Sequence, residues 1–154
     1  MGKTAKEKLE EAVKKKMKEG WIRASMMIEV LAGSGDAAKS ALERHMEKMD
    51  SEDNAIIYRL DYTDVAKVEN PIPNVKEAYS YVAEVELVAN SYEKLFMLVL
   101  RYGPSSVEIL EPEKISIDIG DAQGILNAVS DLIHTFAGRT LGGIHILPAE
   151  KKDQ

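Results

Sequence analysis

Between Ile22 and Val30 the chain alternates. Ile22, Ala24, Met26, Ile28 and Val30 fall on one side and Arg23, Ser25, Met27 and Glu29 on the other. That period of two predicts a half-buried strand. Gly33-Ser34-Gly35 turns the chain, Asp36 is the expected N-cap, and Ala38, Ala41, Leu42, His45, Met46 and Met49 then recur at helical spacing. A second strand is expected over about 55–64, with Ile56, Tyr58, Leu60 and Tyr62 on one face. Residues 65–77 contain "NPIPN". Proline lacks the donor a ladder requires, so this segment is expected as a long loop or an irregular edge.

Alternation returns over 78–89, with Tyr79, Tyr81, Ala83, Val85 and Leu87 on one face and Ser80, Val82, Glu84 and Glu86 on the other. A helix capped by Asn90 or Ser91 follows, carrying Leu95, Phe96, Leu98, Val99 and Tyr102. Gly103 stands where a left-handed residue ends a helix, and Pro104 blocks its continuation. Residues 106–110 read as a fourth strand that resumes at 114–117. Asp118 or Asp121 opens a long helix to about Ala137, with Ala122, Ile125, Leu126, Val129, Leu132, Ile133 and Phe136 in register. A last short strand is expected at 144–147. At the other end, Thr4 with Glu7 makes a capping box for a helix that Gly20 stops, with Leu9, Ala12, Val13 and Met17 as a narrow apolar stripe.

The order strand, helix, strand, strand, helix, strand predicts an α+β protein with a ferredoxin-like split β-α-β core. Four antiparallel strands would carry two helices on one face. The expected division is a Lys-rich N-terminal helix at 1–20, the core at 21–118, an amphipathic helix at 119–138 and a tail at 139–154.

Two stretches carry a resemblance: "EVLAGSGDAAKSALERHMEKM" and "AYSYVAEVELVANSYEKLFMLVLRYGPSSVEILEPE". Over roughly residues 22–137 the chain resembles an uncharacterised family of small archaeal proteins with a ferredoxin-like core. The resemblance implies that fold and carries over no catalytic residue.

Composition narrows the function classes. The 154 residues are 45% hydrophobic and 30% charged, ordinary for a globule. With no cysteine, disulfides, thiolate catalysis and cysteine-bound metals are excluded, which suits a reducing cytoplasm. No apolar run reaches the ~18 residues of a membrane span. The net charge of −6 is uneven, since residues 1–20 hold seven Lys against four Glu. The acidic remainder disfavours phosphate-backbone binding, leaving only the first helix for an anionic partner such as RNA.

Each candidate site has a plainer account beside it. Gly33, Ser34 and Gly35 follow a strand and open a helix, where backbone N–H groups can hold an anion. They match neither G-x-G-x-x-G nor a P-loop, and Asp36 would repel the anion. Ser105 and Ser106 could hold an oxyanion beside Glu108, yet no local His, Cys or Lys would activate a serine, and the preceding helix end is negative. The three histidines show no zinc spacing. No cofactor motif and no metal site is expected. Tyr79 and Tyr81 align with core positions, so an RNA-stacking sheet is not expected either.

On the sheet's second face, Arg23, Glu29, Arg59, Asp61, Glu84 and Glu86 mix with Met27, Ile57 and Val82. Such a half-apolar face needs a cover. The expectation is a non-catalytic, self-associating interaction or scaffold domain, a homodimer. The alternatives are an ACT-like module that binds a small molecule, or an RNA-associated protein using the basic first helix.

Overall fold

The computed structural model describes residues 2–141. Their contacts divide the chain into two units, Met1–Ile115 and Ser116–Gln154. The first unit runs α1 (Ala5–Lys18), β1 (Ile22–Ala32), α2 (Gly35–Asp50), β2 (Ala55–Tyr62), β3 (Ala66–Ile72), β4 (Val75–Ala89), α3 (Tyr92–Tyr102) and β5 (Ser106–Glu111). The second contains α4 (Ile119–Leu141).

The fold is a mixed α+β arrangement with one five-stranded antiparallel sheet. Its path is β2-β4-β1-β5, and β3 pairs with β4. Five strands replace the expected four because 65–77 is not a loop. Ser80 pairs with Leu31 of β1 and with Ala66 of β3, so β3 lies along the same edge of β4 as β2. β2 and β3 thus form one interrupted line beside the long β4.

Proline is accommodated at the end of that line. The register shifts between Glu69 and Ile72, which takes Asn70 and Pro71 out of regular pairing, and Asn70 adopts φ 50°. Ile72 then pairs with Val75 across Pro73 and Asn74, the latter at φ 69°. Proline followed by a positive-φ Asn is the residue pair a type II turn wants. The expected strand at 114–117 is not formed. The expected strand at 144–147 and His145 lie outside the described residues.

A second shift lies between Ile57 and Arg59, where Tyr58 is the extra residue. It breaks the expected face of Ile56, Tyr58, Leu60 and Tyr62. Ile57, Leu60 and Tyr62 pair with Leu87, Val85 and Ala83 on the core side, while Ile56 and Arg59 pair with Val88 and Glu86 on the other. One added residue inverts the phase of everything beyond it.

The core lies between the sheet and the two helices α2 and α3. Ala24, Met26 and Ile28 of β1 and Ala83, Val85 and Leu87 of β4 meet Leu42, Met46 and Met49 of α2 and Leu95, Leu98 and Tyr102 of α3. Truncating one such Leu to Ala costs about 2–5 kcal/mol through lost transfer energy and the cavity left behind. Tyr81 is buried here and Tyr79 packs beside it, as their alternation predicts. α1 packs on β2 and β4 with Val13 buried, and Val88, on the sheet's second face, is fully buried as well.

Caps fix the helix ends. Thr4 Oγ1 accepts from Glu7 N at 3.1 Å and Ser91 Oγ from Lys94 N at 3.0 Å. Ser34, not Asp36, caps α2, accepting from Ala37 N at 3.1 Å, and Asp36 sits in the first turn. Either residue could cap, and the one whose backbone is already extended does so. Gly103 ends α3 at φ 56°, the left-handed conformation its position called for.

A polar lock joins α2 to α3. Glu52, just past α2, accepts from Lys94 Nζ at 2.6 Å, Arg101 at 2.6 Å and Tyr102 Oη at 2.8 Å. The hydrogen bond from Lys94 is the main reason its carboxyl is lowered to about 2. Burial, followed by the bond to Glu52, pushes Tyr102 up to about 12. His45 completes the contact, its ring edge-on to Tyr102 at 5.0 Å and its Nε2 donating to Tyr102 O at 3.0 Å.

Candidate functional site on the open sheet face

Charge and apolar surface meet on the face opposite α2 and α3. The bulge at Tyr58 sends Tyr58, Arg59 and Asp61 to this face together. Arg59 donates from Nε to Asp61 at 2.8 Å and from Nη1 to Glu86 at 2.8 Å. Tyr58 Oη donates to the other oxygen of Glu86 at 3.1 Å. Burial and that acceptor push the Tyr58 phenol up to about 12. The Arg23 guanidinium lies 5.5 Å from the Tyr58 ring centre and 3.7 Å from Glu111, while its Nε is buried without a hydrogen-bond partner among the described residues.

Beside this network is a depression of about 290 Å³. Its walls include Ser25, Met27, Arg59, Glu84, Glu86 and Leu110. Glu84 stands opposite Met27 on one side and Asp61 on the other. Two carboxylates thus face each other across neighbouring strands, a like-charge pair that costs stability and attracts a cation. Asp61 is already held by Arg59, which offsets this. Further along, Ser80 Oγ donates to Glu29.

The carboxylates therefore reach one face, but most pair with neighbours rather than pool their charge. Among the described residues, no group of three or more His, Asp or Glu side chains is placed to hold a metal ion. Chemically, the depression offers an arginine, the carboxylate of Glu84 and an apolar floor. It could take a small molecule with both charged and apolar parts.

The serines and glycines singled out in the sequence sit elsewhere and apart. Ser34 spends its hydroxyl on the α2 cap, and a Cβ on Gly35 would lie 3.4 Å from Val65 Cγ1. Gly33 has open space beside it. Ser105 donates to Met27 O twice, from N at 2.7 Å and from Oγ at 3.1 Å, stitching the start of β5 to β1. Ser106 pairs with Met27. Gly33 is six residues further along, about 20 Å at the rise of a strand, so the two groups do not form one site.

What sequence reasoning missed here is Tyr58, expected on one face with Ile56, Leu60 and Tyr62, and Glu111, not assigned to any cluster. Tyr58 gives no signal in the alternation. For Glu111 the signal is its place at the end of an edge strand beside Arg23.

No helix among the described residues is long and apolar enough to cross a membrane. Neither the curated proteins nor the solved structures include a significant match to this chain. The sequence model of the MJ0538 family matches residues 23–153, from the second residue of β1 through α4 and beyond the described residues, and the chain belongs to that family.

Proposed function

We propose that this protein is a non-catalytic, self-associating interaction domain, a homodimer built on a ferredoxin-like core. The observation that carries the reading is the apolar surface left in water. In α4, Ile119 is 86% exposed, Leu126 65%, Leu132 51% and Ile133 50%. Large aliphatic side chains in that number along one helix mark an interaction surface. Met27, Leu31 and Leu110 add exposed apolar area on the open sheet face. For the core, the strand path β2-β4-β1-β5 supports the split β-α-β topology if β2 and β3 count as one line.

Mass action supplies the test. A dimer that buries these residues gains stability with concentration, so its Tm should climb several degrees between 1 and 100 μM protein, taken as about a hundredfold span. A Tm independent of concentration over that range removes the reading.

A second reading has one observation of its own, the depression beside Arg59 and Glu84. A small-ligand module would use it, and a thermal-shift screen against small charged metabolites would find a hit that Arg59→Ala abolishes.

A further inference from the structure

We infer that α4 is the dimerisation element and that it pairs with α4 of a second copy as an antiparallel two-helix coiled coil in one defined register. This rests on the self-association reading above and adds to it the surface, the orientation and the alignment.

Within the apolar stripe of α4 a heptad seam can be traced, with Ile125 and Leu132 flanking it on one side. Ile119, Ala122, Leu126, Val129, Ile133 and Phe136 follow one another at intervals of three, four, three, four and three residues. That is a heptad seam, with Ile119, Leu126 and Ile133 at one core position and Ala122, Val129 and Phe136 at the other. The three glycines of the helix, Gly120, Gly124 and Gly138, fall on the outer face, as do Asp121, Asn127, Asp131 and His134. Ile119, Leu126 and Ile133 each keep half or more of their surface in water. A seam of this kind is built for a second helix of the same period.

Orientation and register follow from complementarity. In an antiparallel pair the two core positions alternate across the seam. One alignment sets Ile119 against Phe136 of the partner subunit, Ala122 against Ile133 of the partner subunit and Leu126 against Val129 of the partner subunit. Each layer then joins a larger side chain to a smaller or differently shaped one, and the two-fold axis repeats all three layers. The flanking positions agree. Ile125 falls opposite the partner's Leu132, and Gln123 opposite the partner's Ser130.

Charge agrees too. Asp118 falls opposite the partner's Arg139 at both ends of the pair. One oxygen of Asp118 accepts from Asp121 N at 2.8 Å to open the helix, and the carboxylate retains a second oxygen for the guanidinium. In a parallel in-register pair Asp118 and Arg139 would stand at opposite ends of the helices, about 30 Å apart, and could not meet. Antiparallel packing also opposes the two helix dipoles.

The chain has no cysteine, so introduced thiols report the geometry cleanly. Ile119→Cys and Phe136→Cys are made as separate full-length variants, mixed under reduction to exchange subunits, and oxidised. The register predicts a disulfide-linked dimer in the mixture and none with either variant alone. In that alignment the two thiols of an Ile119→Cys homodimer would stand about 26 Å apart along the helices. Ala122→Cys with Ile133→Cys repeats the test one layer inward, should a variant at Phe136 fail to fold. Sedimentation of the unmodified protein runs alongside. A dimer whose single variants cross-link with themselves overturns the antiparallel arrangement. A dimer in which neither mixture links overturns the assignment to α4 while sparing self-association. A monomer overturns both.

Discussion

The ring of Tyr62 lies flat on the ring of Tyr81, with centroids 5.2 Å apart and planes 6° from parallel. The stack exists only because Tyr58, midway along β2, is bulged out of the ladder. Without that extra residue, Tyr62 would point to the open face and Arg59 to the core. Tyr62→Ala removes the stack and part of the core edge and should cost about 1 kcal/mol. Deleting Tyr58 should cost several times more, because it inverts the faces of Arg59, Leu60, Asp61 and Tyr62 together. Urea unfolding of the two variants measures the ratio, and equal losses would show that the bulge does not set the phase.

Glu52 governs the acid side of stability. Its carboxyl is lowered from 4.5 to about 2 in the folded protein. A group with a depressed folded pKa stabilises above its unfolded value, and that contribution is lost as pH falls through the folded one. Stability should therefore drop between about pH 4.5 and 2 by a few kcal/mol through this residue. Glu52→Gln should lose about 2–3 kcal/mol at neutral pH, since it leaves Lys94 with a half-satisfied ammonium in a mostly buried place. The variant should also show a flatter stability curve over the same acid window. Denaturant midpoints measured every half pH unit decide this, and a variant with an unchanged acid limb would assign that limb to other carboxylates.

The same lock acts in reverse at high pH. Tyr102 is raised from 10.0 to about 12, so the bond to Glu52 stabilises fully below pH 10 and is lost as pH rises through 12. Absorbance titration of the phenolates should show late-ionising phenols, one of which disappears in Tyr102→Phe and another in Tyr58→Phe, with Tyr62 raised as well by its burial. Titration of all six tyrosines near 10 would contradict both contacts.

Gly103 has a purely conformational role. Its φ of 56° is in the left-handed region, and a Cβ added there would meet nothing within 4 Å. Gly103→Ala should cost about 1 kcal/mol from the backbone alone, and Gly103→Asn less, because Asn tolerates that conformation. Unchanged melting of the Ala variant would mean that α3 can end another way.

Much of this architecture was legible as period. Strands β1 and β4 and helices α2, α3 and α4 each repeat their apolar residues often enough to fix their faces. Tyr58 was not legible, because Ile56, Tyr58, Leu60 and Tyr62 alternate cleanly with Arg59 and Asp61 and give no sign of a bulge, which only the pairing with β4 reveals. Pro71 and Pro73 hid β3, since they argue against a ladder unless a bulge and a turn take them out of it. Glu52 is remote from Lys94 and Arg101 in sequence, so no local pattern announces their meeting. Ser34 caps α2, and Ser105 bonds the Met27 carbonyl of β1.

Association through exposed apolar surface is the central claim, and mass in solution tests it most directly. Sedimentation equilibrium of the full chain at micromolar concentration should fit a species of twice 17.1 kDa. Leu126→Asp with Ile133→Asp should return it to 17.1 kDa with its circular dichroism otherwise intact. A wild-type chain that stays at 17.1 kDa throughout would contradict the claim.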